Sequence, residues 1–199
     1  MAHPQVYTMT MAKLSEYKGK RCLTASGWLI YNDKVLFVKH ALLGIWLSPG
    51  GHVEEHELPH LAAEREFFEE TGIQVKVVSA HPEVVSAPET ENLPLPFVYN
   101  VHWINPPGQA KPSPTTGKIC EQHYVFGFFV EPVSNMADIK ISDKGVEEVR
   151  WFSRKELADV QTTNTIRNEA YYAFDRHPSA KKNSTSSHRA MAARKSGKH

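Results

Sequence analysis

Apolar and polar residues alternate over 22–31 (CLTASGWLIY), and a second alternating run, KVLFVKH, follows Asn32-Asp33. Alternation places every second side chain on one face, and Asn and Asp tolerate the left-handed backbone of a tight turn, so the two runs read as a β-hairpin. The period then changes. Residues 58–71 carry apolar and charged positions at helical spacing and stop at Gly72, which predicts a helix with a glycine end. Further strands are expected at 75–78, 97–104 (FVYNVHWI) and 123–130 (HYVFGFFV). Between the last two, NPPGQAKPSPTTGK is too rich in Pro and Gly to be anything but a loop. A short strand at 149–152 runs into Ser153-Arg-Lys-Glu156, the pattern of a capping box opening a helix, and an amphipathic helix is expected at 164–174. Strands interspersed with so few helices argue for a mixed α/β (α+β) domain and against a regular doubly wound sheet. No internal repeat is present.

Composition limits the classes that remain. Of 199 residues, 41% are hydrophobic and 23% charged, enough apolar material for one real core and too ordinary for a disordered or fibrous chain. No stretch approaches the roughly 20 apolar residues of a bilayer span, and the first 20 residues contain no apolar core of a secretory signal, so no membrane partner is expected. Cys22 and Cys120 are too few for a disulfide scaffold and too far apart for a local metal pair, which sets a reducing cytoplasm as the expected compartment. The net charge of +1 conceals two objects. Residues 176–199 hold seven Lys/Arg and no acid, leaving 1–175 with 16 basic and 22 acidic residues, a net −6. The expected division is a folded domain at 1–175 and a basic tail at 176–199 too poor in apolar residues to repay its ordering entropy. Weak contact with nucleic acid is a role for the tail alone.

The chemistry concentrates at 51–73, GHVEEHELPHLAAEREFFEETGI, where seven of the 22 acids fall and Arg65 is the one Lys or Arg. On a helix Glu66, Glu69 and Glu70 occupy i, i+3 and i+4 and share one face. Leu61 and Phe68 lie nearly opposite, which predicts that they pack the core. Like charges at this spacing repel, and a divalent cation is the natural compensation. Hard oxygen donors with no nearby cysteine favour Mg²⁺, with Mn²⁺ as substitute, over Zn²⁺. Before the helix, Pro49-Gly50-Gly51 ends an apparent strand (IWLS) and lets backbone approach a metal or phosphate closely.

This run resembles the Nudix family, hydrolases of nucleoside diphosphates linked to another group. The family signature G-x5-E-x7-R-E-U-x-E-E-x-G-U, with U bulky and apolar, is met by Gly51, Glu57, Arg65, Glu66, Phe67, Glu69, Glu70, Gly72 and Ile73. Seven fixed letters would coincide by chance in such a chain with odds on the order of 10⁻⁶. Phe67 where an aliphatic residue is usual, and His56 where glycine is common, are mild departures. The resemblance implies an α/β/α sandwich around a mixed β-sheet. It also implies Mg²⁺ held by Glu66, Glu69, Glu70 and the Gly50 carbonyl, with Arg65 fixing the carboxylates and Glu57 orienting the helix or helping activate water. Many members add a glutamate outside the box, for which Glu147 and Glu148 are the candidates, with Glu121 behind them. A rival pattern, His56-Glu57-Leu58-Pro59-His60, matches H-E-x-x-H of zinc proteases, but Pro59 would break the helical turn that both histidines need.

The box says little about the rest of a nucleotide substrate. Trp28, Trp46, Tyr99 and His123 are the candidate substrate contacts, the aromatics for stacking on a base. His40, His52 and His102 are read as surface or edge positions. The resemblance associates a proline 15 residues past the box with ADP-ribose hydrolases, and Pro88 stands there among Pro82, Pro94 and Pro96; the tyrosine associated with dinucleoside polyphosphate hydrolases is replaced by Thr90. The leading expectation is a (d)NTP pyrophosphohydrolase of house-cleaning type, followed by an ADP-ribose or nucleotide-sugar pyrophosphatase. The contrasting class is a non-catalytic nucleotide sensor, which would usually have lost box carboxylates. An isomerase on the same fold is the third reading, and a homodimer is possible on any of them.

Overall fold

The computed structural model describes residues 14–84, 87–113, 117–133 and 145–179. Most of the basic tail expected at 176–199 lies outside them. Among the described residues, nine strands form two sheets, flanked by two helices. The first sheet is mixed. Strand β1 (Arg21–Trp28) runs parallel to β8 (Gln122–Pro132) and antiparallel to β5 (Gly50–His52), while β6 (Val75–Val77) and β7 (Val98–Trp103) both pair antiparallel with β8. The second sheet joins β2 (Ile30–Tyr31), β3 (Lys34–His40), β4 (Trp46–Leu47) and β9 (Val146–Ser153), all antiparallel.

The expected hairpin is real but short. Asn32 and Asp33 take φ of 47° and 58°, and they join only β2 to β3. The preceding run, β1, belongs to the other sheet, so the chain changes sheets at Leu29. Leu29 is wholly buried, a position its side chain can fill while strands diverge on either side. The predicted Ser153–Glu156 box also forms. Ser153 N–H donates to Glu156 Oε2 at 2.7 Å and Glu156 N–H to Ser153 Oγ at 3.4 Å, over a 3-10 turn, Glu156–Ala158, in place of the helix expected there.

Helix α1 (Pro59–Thr71) begins with proline in its first turn, where a missing N–H costs nothing, and ends at Gly72, φ 74°. Its packing face differs from the expected one. Leu61 and Phe68 are 40% and 46% exposed, and Ala62, Ala63, Phe67, Glu70 and Thr71 are buried. The small alanines admit the sheet closely, and Gly27 makes room for the Phe67 ring, since a Cβ there would stand 2.8 Å from Phe67 Cδ2. Phe67 joins Leu29, Leu36, Ile73, Val75 and Val130 in one core cluster. Helix α2 (Asn164–Arg176), capped by the Thr163 hydroxyl accepting from Ile166 N–H at 3.1 Å, buries Ala170 and Ala173 in a second cluster with Trp28, Phe37, Trp46 and Phe152. The two helices thus cover separate cores. No helix of the described residues is long and apolar enough to cross a membrane.

The inference of a reducing compartment from the two cysteines loses its basis. Cys22 and Cys120 are joined in a disulfide across 98 residues of sequence. The parallel β1–β8 register brings them together, because Cys22 lies opposite His123, three residues past Cys120. Cysteine content therefore no longer argues for a reducing compartment. Closing so long a loop restricts the unfolded chain strongly. Reduction in chelator-containing buffer is expected to lower unfolding free energy by roughly 2–5 kcal/mol, measured by denaturant titration of oxidised and reduced protein; equal midpoints would contradict it.

Candidate active site

Helix α1 and strand β5 build the site together. Arg65 is its centre. Its guanidinium clasps Glu57 with two bonds of 2.9 Å, Nε to Oε1 and Nη2 to Oε2. The Nη1 edge meets Glu66 and Glu69, each at 3.0 Å, and Nη2 also donates to the His52 carbonyl at 3.1 Å. One cation thus faces three carboxylates and ties the helix to β5. Charge-assisted bonds of this kind are strong, and Arg suits them through its fixed planar fork. Consequently the Arg65 pKa is raised, chiefly by the Glu57 bond, and the Glu57 carboxyl is held below the usual carboxylate range, chiefly by Arg65.

Glu70 takes another route. Buried on the packing face of α1, it accepts the Gly50 N–H at 2.9 Å, which offsets part of the cost of burying a carboxylate. Backbone contact requires glycine at 50, and the Glu66 carboxylate crowds 51. A Cβ on Gly51 would stand 2.5 Å from the Glu66 carboxylate, and one on Gly50 would collide with the Ala25 carbonyl. Glu57, Arg65, Glu66 and Glu69 therefore form one network, and Glu70 with Gly50 forms a second contact between the same helix and strand. Four carboxylates outnumber the Arg65 guanidinium and the Lys118 ammonium that also acts on Glu57, and the donors are hard oxygens; that set fits Mg²⁺ or Mn²⁺. In this arrangement Glu66 and Glu69 turn toward Arg65 and Glu70 toward Gly50, so their ligand atoms are not gathered within 4.8 Å of one another.

Other sequence candidates fall elsewhere. Trp28, 1% exposed, has its ring between Phe37 and Phe97, and Trp46, 8% exposed, packs edge-on to Phe152 at 4.8 Å. Both belong to the core and offer no face to a base, which corrects the stacking role expected of them. Tyr99 is 69% exposed on β7, where its ring lies 5.2 Å from Phe126. Glu147 and Glu148 lie on β9 in the second sheet, Glu147 paired with Lys39 at 2.9 Å and Glu148 opposite Lys39 in register. Glu121 is an anchor for loops: its carboxylate accepts the backbone N–H groups of Lys20 (2.8 Å) and Gly108 (2.5 Å), which lower its pKa. The zinc-protease pattern fails as expected, since His56 sits outside the helix at φ 68°. His123 lies within reach of two imidazoles, His52 at 5.0 Å and His102 at 5.9 Å between ring centroids, and burial first, then these neighbours, lowers its pKa to about 3.

The NUDIX domain model matches residues 20–174. The chain belongs to the NUDIX family. A probable DHNTP pyrophosphohydrolase of Lactococcus lactis subsp. cremoris (strain MG1363) is 44% identical over 54 residues, 27% of this chain and 32% of the relative, so the match spans about a third of that protein. Among solved structures, a NUDIX-family hydrolase from Clostridium perfringens aligns with TM-score 0.61 and 22% identity over 78% of this chain and 97% of that one. A NUDIX hydrolase from Nitrosomonas europaea gives 0.53 and 23%, over 80% and 93%. These likenesses bear on the fold.

One functional-looking group was missed by sequence reasoning. A cavity of about 250 Å³ is lined by Phe97, Val98, Asn168, Glu169 and Tyr172. Burial pushes the Glu169 pKa up to about 7, partly countered by the Asn100 amide donating to it at 3.0 Å. The available signal was position: Glu169 falls three after Ile166 and four before Ala173, on the apolar stripe of α2. Because the native state holds this proton more tightly than the unfolded chain, Glu169 contributes stability that is full below about pH 4.5 and is lost as pH rises through about 7. Glu169→Gln is therefore expected to shift Tm upward relative to wild type more at pH 8 than at pH 5; an identical difference at both values would contradict it.

Proposed function

We propose that this NUDIX-family chain is a Mg²⁺-dependent pyrophosphohydrolase that cleaves the diphosphate linkage of a nucleoside triphosphate or related small-molecule triphosphate. The observation that carries this reading is the intact Arg65 network, with all three helix carboxylates present and Glu70 held by Gly50. A non-catalytic sensor has no need to retain three repelling carboxylates and the guanidinium that positions them. The choice of a triphosphate is supported by the pyrophosphohydrolase among its relatives.

Glu66, Glu69, Glu70 and the Gly50 carbonyl would hold the ions. A bound divalent ion supplies charge neutralisation on the diphosphate and a lower pKa for the attacking water. Arg65 keeps Glu66 and Glu69 on one face, and Glu57, through Arg65, fixes the turn between β5 and α1. Glu147 or Glu148 is assigned to take the proton from water, Tyr99 to touch the substrate, and His123 remains a further substrate contact in this proposal.

The test is a Mg²⁺-dependent hydrolysis panel with products resolved by chromatography, covering (d)NTPs, oxidised guanine nucleotides, pterin triphosphates, ADP-ribose, nucleotide sugars and dinucleoside polyphosphates. A triphosphate cut to monophosphate and pyrophosphate is expected, with Glu70→Gln and Arg65→Ala each losing about 10²-fold or more in kcat, the scale of removing one preorganised electrostatic group. AMP and ribose phosphate from ADP-ribose would replace the triphosphate reading. Tight nucleotide binding without turnover of any compound would overturn the enzyme.

A further inference from the structure

A second cluster of ligating side chains lies away from the helix carboxylates. The β1–β8 register sets Cys22 beside His123, and the β7–β8 register sets His102 on the other side of it, so the three form a row across adjacent strands. Cys120, just before β8, reaches Cys22 from the row's end. His52, the last residue of β5, closes the group from the neighbouring strand: its Nε2 lies 3.3 Å from Cys120 Sγ, and its ring 5.0 Å from that of His123. The ligand atoms of Cys22, His52 and Cys120 all lie within 4.8 Å of one another, the one such trio among the described residues.

We propose that, once the disulfide is reduced, Cys22, Cys120, His52 and His123 form a thiolate–imidazole site for a borderline-soft divalent cation of the Zn²⁺ class, which the disulfide closes. The spacing suits Cys22, His52 and Cys120, and the His123 ring, 5.0 Å from that of His52, is the neighbour placed to complete them. Tetrahedral zinc with Zn–S near 2.3 Å and Zn–N near 2.0 Å separates its ligand atoms by about 3.5 Å, close to the His52–Cys120 distance already present. Two thiolates also cancel the ion's charge, so a half-buried site beside Lys118, whose ammonium donates to the Val53 carbonyl at 3.3 Å, carries no net charge. Sulfur and nitrogen donors distinguish this site from the all-oxygen set of Glu66, Glu69 and Glu70. The reaction balances with a dithiol reductant. It delivers two electrons and two protons to the Cys22–Cys120 bond and becomes a cyclic disulfide; binding the cation then releases the two thiol protons. Either state, disulfide or metal, ties the start of β1 to the start of β8. His52 also lends its carbonyl to Arg65, so the occupant would sit on the strand that the catalytic network holds.

Zinc titration of the full-length chain against a chromophoric chelator tests this, comparing oxidised and dithiol-reduced protein with excess Mg²⁺ present. One equivalent is expected in the reduced form and none in the oxidised form, and Co²⁺ should give the thiolate charge-transfer and tetrahedral d–d bands of a Cys/His site. Cys120→Ser should abolish those bands, His52→Ala should weaken zinc binding about 10- to 100-fold, and Glu70→Gln should leave it unchanged. Zinc should also restore part of the denaturant resistance lost on reduction. The oxidised–reduced comparison needs no substitution, so a poorly folding variant does not compromise it. Equal zinc binding in both redox states, or binding that survives Cys120→Ser and disappears in Glu70→Gln, would overturn the proposal.

Discussion

The contact on which the site depends is the guanidinium of Arg65 held among Glu57, Glu66 and Glu69 and against the His52 carbonyl. Without it, carboxylates crowded on the helix beyond Ala63 would repel one another, and the helix would lose its bond to the His52 carbonyl of β5. Half-buried groups lose less to solvent screening than a surface pair, and the bidentate geometry toward Glu57 adds direction to the attraction. The network is nevertheless incomplete as an electrostatic object. Four carboxylates share the site with one guanidinium, and Glu70, buried on the packing face, accepts the Gly50 N–H. The fold holds in place an acidic excess that is useful only with a divalent cation, which is how structural strain and chemistry meet at one helix.

The fold supplies the remaining constraint by bringing β5 close to the helix. Glycines at 50 and 51 let the Ala25 carbonyl and the Glu66 carboxylate occupy space that side chains would otherwise fill. Gly27, one strand deeper, makes room for Phe67. The same close packing explains why Leu61 and Phe68 face outward. The helix approaches the sheet through Ala62 and Ala63, and that choice rotates Glu70 inward, where it accepts the Gly50 N–H.

Much of this was legible in the sequence and some was not. The box was legible because its letters are fixed by local spacing on one helix, and Gly72 marked its end. Pro59 likewise dismissed the zinc-protease pattern from local geometry alone. Nonlocal facts resisted. Trp28 and Trp46 were placed at the substrate because an aromatic residue has the same letter in a core and in a pocket; their burial depends on Phe37, Phe97 and Phe152 arriving from other strands. The Cys22–Cys120 bridge depends on a parallel register between strands separated by 98 residues, which no local pattern records. His52 and His102 read singly as edge residues and His123 as a substrate contact, and only the sheet assembles the three.

The central claim, that a divalent cation completes the charge balance left by Arg65, is tested most directly by unfolding free energy as a function of Mg²⁺ concentration. A ligand that binds only the native state stabilises it by RT ln(1 + [L]/Kd), about 2.7 kcal/mol at a hundredfold excess over Kd. Wild-type protein, kept oxidised, should gain stability logarithmically with Mg²⁺, and Glu70→Gln should gain little. Stability independent of Mg²⁺ in the wild type, or an equal gain in both proteins, would contradict the account.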